Sequence, residues 1–302
     1  MRHVLFGQSG LRVSELCLGA MVFGDARELG ASRKDSQEVF EAFAAAGGSF
    51  IDTADHYADG ESERLVGEFV ASDRDSFVIS TKWSVARHGG LQRSGNGRRN
   101  MMRAVEASLR RLKTDRIDLY SLHAWDYATP CEEIMRGLDD LVRGGKVHYV
   151  AISDTPAWEV SRAKAAHQPA GRRSGSPIPD GTMRIAAEVG SIAALMGASP
   201  AQVALAWVRQ QQAAVPVIPI IGARTKAQLE SNLQSLSVQL DDSALGRLDK
   251  VSAIELGFPH DFLRTDYVRA LLHGGEPDRL TLRQPLPHPV SDLAMGSGVT
   301  KK

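Results

Sequence analysis

Four side chains that can carry or hold protons stand where apolar runs of this chain end. Asp52 follows Ser49-Phe50-Ile51, and Tyr57 lies in the segment just beyond it. Lys82 ends Phe77-Val78-Ile79-Ser80-Thr81, and His123 ends Ile117-Asp118-Leu119-Tyr120-Ser121-Leu122. Singly, each has an ordinary explanation: a polar cap, an amphipathic surface tyrosine, a solvated strand end and a structural histidine. Together they make coherent chemistry. Reducing a carbonyl requires hydride at carbon and a proton at oxygen. A free tyrosine, with a pKa near about 10, is a poor acid. An ammonium such as Lys82 favours the phenolate and is expected to lower that pKa. Asp52 would keep the lysine charged and oriented, and His123 would donate a hydrogen bond to the substrate oxygen. None of the four can supply hydride, so a cofactor is required. Asp52, Asp55, His56 and His123 can also be drawn as a metal site, but no HExxH or Cys/His spacing supports one, and no metal is expected.

A cofactor signal lies further along. The run Val215–Ile221 leads into Gly222-Ala223-Arg224-Thr225-Lys226, with Gln228 and Asn232 spaced i, i+4 behind it. Gly222 permits close backbone approach, and a helix beginning at Arg224 and Lys226 offers an N-terminus that favours phosphate. A helix with ordinary polar surface residues would read the same way. No GxGxxG follows a first strand, so a Rossmann dinucleotide site is not supported.

The elements that must position these residues are short apolar strands alternating with helices. Strands are expected at Leu16–Ala20, Ser49–Ala54, Phe77–Lys82, Ile117–His123, Val147–Ser153 and Val215–Ile221. Helical periodicity marks Asp35–Ala46, Asn100–Leu112, Glu132–Val142, Trp158 to about His167, Met183–Met196 and Pro200–Gln211. Before them, Val4–Phe6 and Leu11–Val13 flank Gly7-Gln8-Ser9-Gly10 as a small hairpin. Strand and helix in series predict parallel βαβ units, whose strand ends open onto one face. After Leu16 the starts fall at 49, 77, 117 and 147, and the next at 215. That last interval is about twice the roughly 30 residues of a barrel unit. It holds a Pro/Gly/Ser-rich loop, Gln168 to Thr182, with no strand pattern. Gly274 to Lys302 reads as a mobile tail.

Composition narrows the function classes. Thirty-six basic residues balance 36 acidic ones, so there is no bulk attraction to nucleic acid or an anionic membrane. Ala201 to Ile221 is apolar but holds Arg209 and four glutamines, which argues against a membrane span. Two cysteines, Cys17 and Cys131, suggest no disulfide scaffold. Met1 to Gly7 does not read as a signal peptide, so a cytoplasmic location is expected.

These motifs in combination resemble the aldo/keto reductase family. The likeness is carried by Gly10-Leu11-Arg12-Val13-Ser14 through Phe23-Gly24, by Phe50-Ile51-Asp52-Thr53-Ala54-Asp55-His56-Tyr57 with Gly60, Glu61 and Glu63, and by Ser80-Thr81-Lys82. Leu122-His123 with Trp125 and Asp126, Lys146-Val147 through Ile152-Ser153-Asp154, and Ile218 to Thr225 complete it. It covers about residues 1–167 and 183–262. The resemblance implies a TIM (β/α)8-type barrel with an N-terminal β-hairpin, NADP(H) as cofactor, and reduction of aldehydes or ketones. It implies a catalytic tetrad of Asp52, Tyr57, Lys82 and His123. Cofactor contacts would come from Gly19, Ala20, Met21, Asp52, Ser153, Gly222, Arg224, Gln228 and Asn232, with Arg224 on the 2′-phosphate. Trp83 and Trp125 would line the substrate pocket or pack beneath it.

The chain also departs from the family. Asp154 stands where an asparagine is often found, and an aspartate cannot donate to the nicotinamide carboxamide. The family's sixth and seventh strands bring a glutamine and a stacking aromatic to the nicotinamide and a Pro-Leu loop to the pyrophosphate. None is visible between Ala165 and Thr182. The expectation is therefore an incomplete barrel over 1–265, internally shortened near 166–182, followed by a tail over 266–302. Exposed edges on the fifth and eighth barrel strands would favour self-association. The alternative to an active reductase is a catalytically impaired relative that serves as a binding or regulatory protein.

Overall fold

The computed structural model describes residues 1–24, 30–86, 90–156, 180–211 and 217–253. Strands β1 (His3–Leu5) and β2 (Arg12–Ser14) form an antiparallel hairpin. The other six strands are all parallel: β3 (Cys17–Gly19), β4 (Phe50–Asp52), β5 (Val78–Trp83), β6 (Ile117–Leu122), β7 (Val147–Ile152) and β8 (Ile220–Gly222). They lie in the order β7-β6-β5-β4-β3-β8. Each adjacent pair in that order meets the parallel expectation, with Asp52 opposite Ser80 and Gly19 opposite both Asp52 and Gly222. Among the described residues β7 and β8 are the two edges and do not pair, so the sheet is not closed into a barrel there.

Five of the described helices keep within three residues of the expected periods and one begins near Arg224 as expected, whereas those over 61–69 and 242–252 have no counterpart among the expected ones. The helices are α1 (Arg33–Ala45), α2 (Glu61–Phe69), α3 (Arg98–Leu112), α4 (Cys131–Arg143), α5 (Asp180–Met196), α6 (Pro200–Gln210), α7 (Lys226–Leu233) and α8 (Asp242–Ser252). Local chemistry sets several starts. Ser32 caps α1 by accepting from the Asp35 backbone, and Ser199 with Gln202 forms a reciprocal capping box ahead of Pro200 in α6. Helix α5 begins three residues before Met183, so Asp180 to Thr182 are helical and not part of the expected loop. The rest of that loop, the helix expected from Trp158 and the tail lie outside the described residues. The last strand is shorter than expected: Val217 to Pro219 precede it without strand pairing along their length, although the Pro219 carbonyl still accepts from Cys17 N.

Side-chain alternation along each strand divides the core in two. Leu18, Ile51, Ile79 and Tyr120 point to the helix layer, where they join Val39 and Phe43 of α1 and Met101 and Val105 of α3. Each such buried aliphatic contributes about 1.5–3 kcal/mol. Cys17, Phe50 and Leu119 point to the opposite, inner face, where Val13 is buried with them and Val4, Phe6 and Leu11 of the hairpin segment pack on. The hairpin thus covers the N-terminal half of the inner face. Asp52 and Ser121, two positions further along β4 and β6, are left at the C-terminal end.

Helices α5, α6 and α8, with Leu240 just before α8, share a second core that includes Ile192, Val203, Ala206 and Leu248. Among the described residues no single helix is long and apolar enough to cross a membrane; α5 and α6 pass such a test only as a pair bent by 100°. Arg209, which interrupts the apolar run in α6, pairs with the buried Glu15 at 3.0 Å and ties α6 to the hairpin.

Candidate active site

Asp52 and Lys82 reach the same place by strand geometry. Phe50 and Asp52 share the inner face of β4, and Ser80 and Lys82 share the inner face of β5. The Lys82 ammonium donates to Asp52 Oδ2 at 2.5 Å and to the Thr53 carbonyl at 2.8 Å. Ser80 Oγ donates to the other Asp52 oxygen at 2.9 Å. Both charges are buried, and each is hydrogen-bonded to two groups at the ends of the two adjoining strands.

Tyr57 is placed by an unusual turn. It opens a 3-10 turn, Tyr57–Gly60, in which Ala58, Asp59 and Gly60 all have positive φ, 47°, 54° and 89°. At Gly60 a Cβ would stand 2.7 Å from Cδ of Arg111, so only glycine fits there without displacing that side chain. The turn is anchored beneath by Glu63, fully buried in α2, which accepts from Thr81 Oγ1 at 2.6 Å and from Arg111 Nε at 2.6 Å. Tyr57 then lies with its ring centroid 5.0 Å from Lys82 Nζ and edge-on to His123 at 5.7 Å between centroids. The His123 backbone is held by Trp83 O and Ser84 Oγ.

This packing decides the protonation states. Burial raises the Tyr57 phenol above its usual range; the Lys82 charge acts the other way and does not overcome it. The expectation that Lys82 lowers the tyrosine is therefore correct for that one interaction and wrong for the sum. Burial by itself would lower Lys82, but the Asp52 carboxylate and the Tyr57 oxygen together more than offset it and the ammonium is raised. His123 falls to about 3, first through burial, then through the Lys82 charge and His56. At neutral pH the cluster is a charged lysine, a neutral phenol and a neutral imidazole. That is one proton donor beside one hydrogen-bond donor, the set that a carbonyl oxygen gaining negative charge requires. Among the described residues no group of three or more His, Cys, Asp or Glu is arranged to hold a metal.

The expected cofactor residues line the same end of the sheet. Gly19 and Gly222 face each other across β3 and β8. A Cβ on Gly19 would stand 2.9 Å from Ile220 Cγ2, whereas one on Gly222 would meet nothing within 4 Å. Ala20 is buried, Met21 is exposed, and Ser153 follows β7 with its N–H on Leu122 O. Arg224 is exposed, and its backbone N–H donates to Gln228 Oε1 at 2.8 Å. Asn232 Nδ2 donates to the Gly222 carbonyl at 3.3 Å. Thr225 caps α7 by accepting from the Gln228 N–H. Gln228 and Asn232 thus brace the segment that presents Arg224.

Other expected or overlooked residues are also located. Trp83 is fully buried and stacks on Tyr120 at 4.7 Å, a packing role that takes it out of the pocket wall; Trp125 is half-buried against the core. Asp154 has φ 35° and is exposed, and its carbonyl accepts from Trp125 N. The sequence reading gave no role to Ser80 or Glu63. Ser80 was findable, since it stands two residues before Lys82 on the same strand face. No local pattern marks Glu63 as a buried anchor.

Comparison with known proteins identifies the family. The model of the aldo/keto reductase family matches residues 15–171 and 166–253. A norsolorinic acid reductase, stcV, of Emericella nidulans is 32% identical over 326 aligned positions that take in 86% of this chain and 84% of that protein. An aldo-keto reductase, ausK, of Aspergillus calidoustus is 33% identical, covering 87% of this chain and 85% of its own. An aryl-alcohol dehydrogenase of Pestalotiopsis microspora is 31% identical, with 87% and 85% covered. From its motifs, its parallel sheet and these matches, the chain belongs to the aldo/keto reductase family.

Proposed function

We propose that this chain is an NADP(H)-dependent reductase of aldehydes or ketones in which Tyr57 gives the proton. The observation that carries the reading is the meeting of the buried Lys82–Asp52 pair with a neutral Tyr57 and a neutral His123 at one sheet end. The residues fit the cofactor: Gly222 leaves open space beside its backbone, and the exposed Arg224 stands next to it at the start of α7. NADPH, when bound, supplies the hydride. Arg224 would hold the 2′-phosphate, with Gln228 and Asn232 bracing it. Gly19, Ala20, Met21, Asp52 and Ser153 would border the cofactor's path to Tyr57. His123 orients the carbonyl oxygen, Tyr57 protonates it, and Lys82, fixed by Asp52, stabilises the resulting phenolate. An aromatic aldehyde is the first substrate to assay, because one relative carries the name aryl-alcohol dehydrogenase. We place the enzyme in the cytoplasm, acting on a small molecule.

A second reading has its own support. The stcV alignment spans 326 positions, more than the 302 residues of this whole chain. The relatives therefore carry inserted residues that this chain lacks. The family model matches in two pieces that meet at 166–171. Loss of the sixth and seventh barrel strands would account for both, and would remove part of the nicotinamide platform and favour self-association through β7 and β8. Fluorescence titration with NADPH and with NADH, followed by aldehyde-dependent NADPH oxidation, separates the readings. Tight binding, with turnover that collapses by about 10²-fold or more in Tyr57→Phe, supports the reductase. Binding of neither nucleotide supports a catalytically impaired relative, and equal rates for wild type and Tyr57→Phe remove Tyr57 from the mechanism.

A further inference from the structure

His56 is the residue of this cluster that the mechanism leaves unused. Its ring lies 4.9 Å from that of Tyr57 and 4.8 Å from that of His123, centroid to centroid. It also lines a cavity of about 200 Å³. The cavity's apolar wall is made of Ala104 and Ala107 of α3 with Val85 and Ala86 of the segment after β5. Its charged lining comes from every element around it: Asp55 and Asp59 from the turn, Arg93 from the segment after β5, and Arg103 and Arg111 from α3. The cavity is therefore polar and suited to solvent.

Three buried polar atoms without a hydrogen-bond partner in the protein line this path: Asp55 Oδ1, His56 Nδ1 and His123 Nδ1. Asp55 Oδ1 stands 3.8 Å from His56 Nδ1, too far for a direct hydrogen bond. Buried polar atoms are ordinarily paired, and a succession of unpaired ones between a cavity and an acid needs a reason. We propose that His56 carries protons between this cavity and the Tyr57–His123 pair. The proposal rests on the reductase reading above. Each reduction breaks the Tyr57 O–H bond, and substrate seated at the sheet end covers Tyr57 from that side. The cavity reaches the cluster from the helix side. In one concerted transfer His123 passes a ring proton to the phenolate as its other ring nitrogen takes one from His56, and His56 takes one from solvent in the cavity, so neither ring passes through an imidazolate. The net change is one solvent proton for the one delivered to product, and no electrons move.

The test uses His56→Ala and His56→Gln in the full chain. With NADPH and an aromatic aldehyde, kcat should fall about tenfold, less than the hundredfold or more expected for loss of a direct general acid. KM should stay within about twofold, and added imidazole should restore most of the rate in His56→Ala. A kcat within twofold of wild type, or a loss that imidazole does not relieve, overturns the relay. If wild type itself is inactive, the reductase reading fails separately and histidine NMR of the cofactor-free protein decides. The relay predicts that the His123 ring signals shift in step with His56 titration and that this step vanishes in His56→Gln. Signals of His123 that ignore His56 overturn the proposal.

Discussion

The Lys82 ammonium stands 2.5 Å from Asp52 Oδ2 with the two side chains only 10% and 12% exposed. A buried pair of this kind is costly to break from one side, because the remaining charge keeps its desolvation cost and loses its partner. Asp52→Ala should therefore destabilise the protein by about 3–5 kcal/mol, read from the midpoint of urea unfolding. The double variant Asp52→Ala/Lys82→Met should recover a good part of that loss, since it buries no unpaired charge. An unchanged midpoint in the single variant would mean that water reaches the pair.

His123 gives a pH signature. Its pKa is about 3 in the folded protein, against about 6.5 for a free imidazole. Between those values the unfolded chain binds a proton that the folded one refuses, so stability rises with pH. The contribution is fully present above about 6.5 and is lost as pH falls toward 3. His123→Gln cannot take up that proton, so its stability should depend less steeply on pH across this window. Parallel slopes for the two proteins would show that His123 titrates normally.

Arg224 should separate the two nicotinamide cofactors. A guanidinium bonded to phosphate contributes about 1.5–3 kcal/mol, so Arg224→Ala should weaken NADPH binding by about tenfold or more and leave NADH binding nearly unchanged. Equal weakening of both would assign the residue to the shared part of the cofactor or to the fold.

Gly67 is where α2 touches α3. A Cβ there would stand 2.3 Å from the Leu112 carbonyl oxygen, a backbone atom that cannot swing aside. Gly67→Ala should cost about 1–3 kcal/mol through overpacking despite the better helix propensity of alanine. Because α2 carries Glu63 under the Tyr57 turn, turnover should fall as well. A thermal melt and a rate measurement on the same preparation check both.

Much of this was legible in the chain itself. β-branched apolar runs followed by Asp52, Lys82, His123 and Ser153 are local patterns, and a parallel series of βα units puts all such ends on one side. The hairpin and most helix limits followed from turn residues and apolar periodicity in the same way. Helix α2 was less visible, since its buried Glu63 and Gly67 break the usual apolar stripe.

What the sequence alone determined, then, was the set of side chains, the strand ends that bear them and the parallel order that gathers them, because alternation and periodicity act over a few residues. Tertiary structure alone decided which strand face is inner, how Tyr57 is aimed, and how deeply each charge is buried. Those depend on contacts between segments far apart in the chain: the hairpin against β3 and β4, and Arg111 of α3 against Glu63 of α2. Desolvation is a property of that packing. This is why Tyr57 ends above its usual range although the lysine beside it pulls the other way.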